Sequence, residues 1–158
     1  MSHNIDKIDV SILQLLQQDS TSAIKDIAKE VGLSATPTYE RIKRLEADGY
    51  IQKYVAVLDG QKLGLDIVVY CNVTLKEQNK EALLGFENAI AALPEVLDVI
   101  GLSGQYDYLI KIVSPNIQAY NDFLLNKLSG IPNIAQFHSN IVLGKIKHNT
   151  PMPLTHLK

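Results

Sequence analysis

The chain has 158 residues, 46% of them hydrophobic, and a formal net charge of −2 at pH 7. This length fits one large domain or two small ones, and the composition excludes an intrinsically disordered chain. No apolar run approaches the roughly 20 residues needed to span a bilayer, and the N-terminus lacks the apolar segment of a signal peptide. The single cysteine, Cys71, excludes an internal disulfide framework and indicates a cytoplasmic protein.

Residues 1–50 carry apolar side chains at the spacing of α-helices. One apolar stripe covers residues 5–16 and a second covers residues 24–31, each repeating along one helix face. A third helix is predicted from inward-facing residues spaced by four and three: Thr38, Ile42 and Leu45. The short turn GLS at residues 32–34 joins the last two helices, and Gly32 suits a helix C-cap. Three short helices with this turn predict a helix-turn-helix DNA-binding domain.

From residue 51 the apolar pattern changes to that of β-strands. Residues 51–64 mix β-forming and turn residues, which predicts a connecting strand or linker of the kind found in winged-helix domains. Residues 65–147 follow as strand, helix, two strands, helix and strand, with Ser114 as the N-cap of the second helix. This β-α-β-β-α-β order predicts a ferredoxin-like domain and an α+β fold overall. Residues 148–158 contain two prolines and are predicted to form an extended tail.

The strands of the second domain are apolar on both faces. The segments VLDVIGL, YLIKIV and IVVYCNV all lack a clean alternation of apolar and polar residues. Two helices can cover only one face of a four-stranded sheet, so the other face needs a second cover. The same sheet of another copy would supply it, which predicts a homodimer through this domain.

The third helix carries three cations in a chain that is not basic. Residues 1–54 hold seven basic and eight acidic side chains, whereas residues 35–45 hold three and one. The alternative to DNA contact is a surface helix with local pairs, such as Glu40 with Arg44. The helix-turn-helix context favours DNA, held weakly by one domain and more tightly by two or more. The candidate DNA contacts are Ser34, Thr36, Pro37, Tyr39, Glu40, Arg41, Lys43 and Arg44.

Three motifs resemble the Lrp/AsnC, or feast–famine, family of transcription regulators. They are IDKIDVSILQLLQQDS, IAKEVGLSATPTYERIKRLEADGYIQKYVAVLD and GLSGQYDYLIKI, and their order matches over nearly the whole chain. The resemblance implies DNA binding by dimers that assemble further, often into tetramers or octamers. It also implies a small effector, usually an amino acid, bound between dimers.

The loop SGQYDY is the candidate effector site. Backbone N–H groups at Ser103 and Gly104 suit a carboxylate, and Asp107 suits an ammonium group, so the loop matches both charges of a free amino acid. A hairpin turn in which Asp107 bonds its own loop is the alternative from the residues alone, and the resemblance favours the effector site. The candidate ligand-binding residues are Ser103, Gly104, Tyr106, Asp107, Ser139 and Asn140.

The function that these observations predict is a sequence-specific transcription regulator whose assembly and DNA binding respond to an amino acid. An architectural DNA-binding protein with little effector response is the alternative, and a steep, sequence-tolerant salt dependence would identify it. An enzyme is disfavoured because the sequence has no nucleophile–base pair, phosphate-cradling glycine loop or G-x-S-x-G motif. The four histidines lack metal-ligand spacing, so no metal or cofactor is expected.

Overall fold

The structure is a computed structural model that describes residues 5–147 and 151–157. It divides the chain into two compact units, one of Met1–Val57 with Lys147–Lys158 and one of Leu58–Ile146. The chain therefore leaves the first unit once and returns to it at its C-terminal end. Residues 148–150 and 158 of the predicted tail lie outside the described residues. Among the described helices, none is long and apolar enough to cross a membrane.

The first unit contains the three predicted helices. They are α1 (Lys7–Gln18), α2 (Ile24–Glu30) and α3 (Ala35–Ala47). Their apolar stripes meet in one core, whose buried members are Ile12, Ile27, Ile42 and Leu45. Thr38 is also fully buried, as predicted. The helix-turn-helix is thus confirmed, because each stripe is apolar enough to need cover and the turns are short enough to stack the helices.

The ends of these helices are defined by specific capping residues. Asp6 and Asp9 form a reciprocal capping box at the start of α1, each carboxylate accepting the other's backbone N–H. Gly32 and Gly49 follow α2 and α3 with φ of +69° and +79°. This left-handed conformation closes a helix C-terminus, and only glycine adopts it without a steric penalty.

Residues 51–64, predicted to be a connecting strand or linker, form a linker without a strand. Residues 52–59 have no regular secondary structure, and Gln61–Leu63 form a short 3₁₀ helix. The β-forming side chains Val55 and Val57 are 60% and 68% exposed. β-propensity alone does not make a strand, since a ladder needs a hydrogen-bonding partner and no described strand pairs with this segment.

The second unit has the predicted β-α-β-β-α-β order. Its elements are β1 (Ile67–Leu75), α4 (Lys80–Ala91), β2 (Val96–Gly101), β3 (Tyr108–Ser114), α5 (Ile117–Asn126) and β4 (Ile134–Ile141). All neighbouring strands are antiparallel in the order β2-β3-β1-β4. Ser114 is not the N-cap of α5: it ends β3, and the Asn116 side chain accepts the Ala119 N–H at 2.8 Å instead. Asn116 takes the role because it lies nearer the first helical turn.

The two faces of the sheet differ in burial. One face packs against α4 and α5, and its strand residues are fully buried, as for Val69, Ile110 and Ile112. The opposite face leaves Ile100 and Tyr70 48% and 38% exposed. The strand register places Lys111, Asn72 and Asn140 on this face beside Tyr70. The second face is therefore only partly apolar, unlike the prediction, and the second unit by itself does not bury it.

Candidate functional site

The outward surface of α3 presents small and polar side chains. The buried residues Thr38, Ile42 and Leu45 define the inner face of the helix. Five of the eight predicted DNA contacts are exposed: Ser34, Thr36, Tyr39, Glu40 and Lys43. The small side chains among them, Ser34 and Thr36, lie at the front of the helix and allow close approach to the edges of base pairs in a major groove.

The N-terminal turn of α3 is not capped by a side chain. Ser34 is the N-cap residue by backbone conformation, but its hydroxyl makes no capping hydrogen bond. Its carbonyl accepts the Thr38 hydroxyl at 2.9 Å. The helix start therefore lacks the usual internal acceptor for its first N–H groups, and a phosphate oxygen can take that role.

Arg41 and Arg44 differ from the exposed set because they bind carboxylates of α1. Arg41 Nη1 lies 2.8 Å from Asp9 Oδ1 and 2.7 Å from Asp6 Oδ2. Arg44 Nη2 donates to both oxygens of Asp9, at 2.9 and 2.7 Å. The hydrogen bond from Arg41 to Asp9, and after it the one to Asp6, raises the pKa of Arg41 above its ordinary value. The local pair of Glu40 with Arg44 does not account for Arg44, since Asp9 is its partner.

Lys43 lies on the other flank of α3. Its Nζ is 2.7 Å from Glu46 Oε2 and 5.6 Å from the centre of the Tyr39 ring. The hydrogen bond to Glu46 raises the pKa of Lys43 and lowers that of Glu46. Because the Lys43 side chain is 53% exposed, this surface pair is weak and the ammonium remains accessible to an external anion.

The second unit contains a cavity of about 550 Å³ between α4 and the β2–β3 loop. Two carboxylates, an amide, a phenol and apolar side chains line it. They include Gln78, Leu83, Glu87, Leu102, Asp107 and Tyr108. Neither lysine nor arginine contributes to the described lining, so the charged groups of this cavity are acceptors. Such a wall suits a ligand that carries an ammonium group and an apolar portion.

Asp107 joins the cavity to the strands. Its Oδ2 accepts the backbone N–H of Leu75 at 2.7 Å, and its Oδ1 accepts the Gln78 side-chain amide at 2.8 Å. Its backbone N–H donates to Val73 and its carbonyl accepts from Leu102. Asp107 therefore has a structural role beyond its own turn, and lines the cavity as well.

Tyr108 and Glu87 form the second polar pair of the cavity. The Tyr108 hydroxyl donates to Glu87 Oε1 at 2.7 Å. Burial, with the hydrogen bond to Glu87, raises the pKa of Tyr108 to about 12. The phenol thus stays protonated and holds one oxygen of a carboxylate whose other oxygen can bind a ligand.

The other predicted ligand residues do not line this cavity. Ser103 and Gly104 are exposed in the loop before β3, and the ring of Tyr106 packs edge-on against His138. Ser139 and the Tyr120 hydroxyl share a hydrogen bond of 2.6 Å. The Asn140 amide donates to the carbonyl of Tyr70 at 3.2 Å, on the opposite face of the sheet. Asp107 alone of the six lies at the cavity.

Glu87, Gln78 and Tyr108 were not among the ligand-binding residues predicted from the sequence. One signal for Glu87 was available: Leu83, Glu87 and Ala91 are spaced by four along α4, so they form one stripe with a single acid at its centre. All three line the cavity. Gln78 and Tyr108 carried no comparable pattern.

Two family models match the chain, one over the helices of the first unit and one over the second unit, and the latter model extends into residues 147–152 of the first unit. The model described as the Lrp/AsnC ligand binding domain matches residues 68–152, and a winged helix-turn-helix DNA-binding model matches residues 5–52.

Individual proteins match along nearly their whole length. The Bkd operon transcriptional regulator of Pseudomonas aeruginosa is 37% identical over 150 residues, covering 95% of this chain and 98% of the relative. The DNA-binding transcriptional activator DecR of Escherichia coli is 33% identical over 150 residues, covering 95% and 99%. The crystal structure of a Neisseria meningitidis transcriptional regulator in complex with L-Met has a TM-score of 0.93 at 32% identity, covering 98% and 99%.

Proposed function

The chain belongs to the Lrp/AsnC family of DNA-binding transcription regulators, and from that premise we propose that a free amino acid binds at the Glu87 cavity and changes how the protein engages DNA. The observation that carries the proposal is the pair of carboxylates, Glu87 and Asp107, on a wall that has apolar side chains and no described cation. The cytoplasmic location predicted from the sequence is part of this proposal.

The ligand chemistry follows from the cavity lining. The ammonium group of an amino acid would bind Glu87, with Asp107 adding negative potential. An apolar side chain would pack against Leu83 and Leu102. Because the described lining has no cation, the ligand carboxylate would use backbone N–H groups near Ser103 and Gly104 or donors of a second copy. The L-Met complex of the Neisseria relative supports an amino acid of this size and polarity.

On the DNA side, α3 would enter a major groove with its exposed residues. Thr36, Tyr39 and Glu40 would face base edges, and Lys43 would contact a phosphate. One unit offers few cations to the DNA, so its affinity for a single half-site would be low. Sequence preference would then come from the base edges and from the number of units bound together.

Assembly of two copies of the chain would supply a second DNA-binding domain. The exposed face of the sheet, with Ile100 and Tyr70, would pack on the same face of another copy. Such a dimer would present two α3 helices to half-sites spaced by helical turns. Assembly beyond the dimer, to a tetramer or octamer, would extend the same arrangement along the DNA.

The ligand proposal is tested by thermal unfolding of the protein with each of the twenty amino acids. A ligand that binds only the native state stabilises it by about 2.7 kcal/mol at one hundred times its Kd. The expected result is a selective shift that Glu87→Gln reduces strongly and Glu81→Gln leaves unchanged. Glu81 is the matched control because it is an exposed acid on the same helix, outside the cavity.

Other outcomes have defined meanings. A shift that survives Glu87→Gln places the ligand elsewhere and contradicts the cavity assignment. If no amino acid gives a shift, and the affinity for selected and scrambled duplexes is equal and steeply salt-dependent, the architectural alternative replaces the regulator that responds to an effector.

The assembly proposal is tested by sedimentation equilibrium. Ile100→Lys adds a charge to the exposed sheet face and is expected to lower the mass to that of a monomer. Leu84→Lys is the control, since Leu84 on α4 is 47% exposed and Ile100 is 48% exposed. Equal masses for the two variants would exclude this face as the interface.

A further inference from the structure

We propose that Asp9 of α1 is a positioning residue for DNA binding, which holds Arg41 and Arg44 on the flank of α3 and so withholds two cations from the phosphates. The inference rests on the proposed DNA contact through α3. Asp9 lies outside the helix-turn-helix pair of α2 and α3, and it would set how much of the DNA binding is electrostatic.

The Asp9 carboxylate is saturated by hydrogen bonds. Its Oδ1 accepts from Arg41 at 2.8 Å and from Arg44 at 2.9 Å. Its Oδ2 accepts from Arg44 at 2.7 Å and from the backbone N–H of Asp6 at 3.1 Å. Both guanidinium groups are therefore bound to the same carboxylate, which also closes the capping box of α1.

Burial makes this arrangement hard to break. The Asp9 side chain is 1% exposed, whereas those of Arg41 and Arg44 are 24% and 39% exposed. Loss of either guanidinium would remove a charge-assisted hydrogen bond from this buried carboxylate, which is unfavourable, so both arginines stay with Asp9. An exposed pair would instead yield its arginine to a competing phosphate, because such pairs are weak.

The remaining cation of α3 shows the contrast. Lys43 is 53% exposed and pairs with Glu46, whose side chain is 27% exposed. Only Lys43 is thus free of a buried partner among the three cations that the sequence places on this helix. With Glu40 exposed beside it, α3 has little net charge to offer the phosphates, which favours discrimination by base edges over uniform attraction.

Asp9→Asn is the direct test. The amide keeps the size of the side chain but removes its charge and turns N–H groups toward a guanidinium, which releases arginine. Each released arginine that finds a phosphate makes the slope of log Kobs against log salt more negative by about 0.9. The expected result is a slope steeper by about 0.9 to 1.8 per bound copy, with a reduced ratio of specific to non-specific affinity.

The measurement is fluorescence anisotropy of the full chain with two duplexes over a series of salt concentrations. One duplex is selected by the wild-type protein from a random pool, and the other is its scrambled sequence. Asp48→Asn is the control for net charge, because Asp48 is an exposed acid at the end of α3. It is expected to leave slope and ratio close to wild type. Adding Arg41→Gln and Arg44→Gln to Asp9→Asn is expected to return the slope to the wild-type value.

Two results would overturn the inference. The first is a folded Asp9→Asn protein, as judged by circular dichroism, whose slope equals that of wild type. The second is a slope of log Kobs against log salt that is shallower by about 0.9 per copy for Arg44→Gln alone than for wild type. That result would make Arg44 a phosphate contact in the wild-type protein. This second variant also decides the matter if Asp9→Asn does not fold. If the wild-type protein prefers neither duplex, the proposed sequence-specific function fails instead, and the slopes still test the role of Asp9.

Discussion

The carboxylate of Asp107 and the backbone N–H of Leu75 are hydrogen-bonded at 2.7 Å, which ties the start of β3 to the end of β1. Leu75 is only 5% exposed, so its N–H has little access to water. The residue whose chemistry suggests a ligand contact is therefore also a structural link, and substitutions at Asp107 must be interpreted with both roles in mind.

Asp107→Ala is expected to lower the free energy of unfolding of the second unit by about 1–3 kcal/mol, because it leaves the Leu75 N–H without an acceptor. Asp107→Asn keeps one carbonyl oxygen and should cost less. Urea unfolding measures both. Asp66→Ala is the control, since Asp66 is exposed at the edge of the same unit, and it should change stability by no more than about 0.5 kcal/mol. Equal effects of Asp107→Ala and Asp66→Ala would refute the structural role.

Burial of the Tyr108 hydroxyl, with its hydrogen bond to Glu87, predicts a pH dependence of stability. The pKa of Tyr108 is raised to about 12, from about 10 in an unfolded chain. A raised pKa favours the protonated native state, so this stabilisation is complete below about pH 10 and is lost as the pH rises toward 12. The stability difference between wild type and Tyr108→Phe should therefore be constant up to about pH 10 and then shrink.

Urea unfolding at several pH values measures that difference. Subtracting the variant from the wild type at each pH removes the contribution of Tyr54, whose pKa is also raised to about 12. A difference that stays constant through the alkaline range would contradict the raised pKa of Tyr108.

Cys71 is expected to be inert in the native protein. Its side chain is fully buried, and burial raises the pKa of its thiol to about 11, from a reference value of 9.0. The thiolate fraction at pH 8 is then lower by about a factor of 100, before any loss of access is counted. Labelling with a thiol-reactive disulfide should be slow in buffer and rapid in urea. Fast labelling of the folded protein would contradict this burial.

The C-terminal segment is held against α1 by one side chain. The Gln17 amide oxygen accepts the Met152 N–H at 2.7 Å, and the amide nitrogen donates to the Met152 carbonyl at 3.3 Å. Gln17→Ala removes both bonds, so hydrogen exchange of the Met152 N–H is expected to accelerate about tenfold. Gln18→Ala is the control, because Gln18 is its exposed neighbour. Equal exchange rates in the two variants would refute the role of the hydrogen bonds between Gln17 and Met152.

Local patterns in the sequence were sufficient to predict most of the fold. The three helices of the first unit and the order of elements in the second follow from apolar periodicity and from glycines such as Gly32 and Gly49. The strand predicted within residues 51–64 does not form, because strand formation depends on a partner strand, which β-propensity does not report. The N-cap of α5 moved from Ser114 to Asn116 because both residue types cap helices and only the backbone geometry chooses between them.

The sequence by itself also determined which chemistry is present: cations on α3 and an acid in the loop before β3. The tertiary structure decided what those groups do. Asp9 precedes Arg44 by 35 residues, and Glu87 precedes Tyr108 by 21, so neither pairing lies within the reach of a helical or strand repeat. Folding buries the Asp9 carboxylate and the Tyr108 hydroxyl, and each then takes a polar partner that is near in space. That is why the arginines predicted as DNA contacts bind α1, while an acid on α4 that no motif singled out lines the cavity.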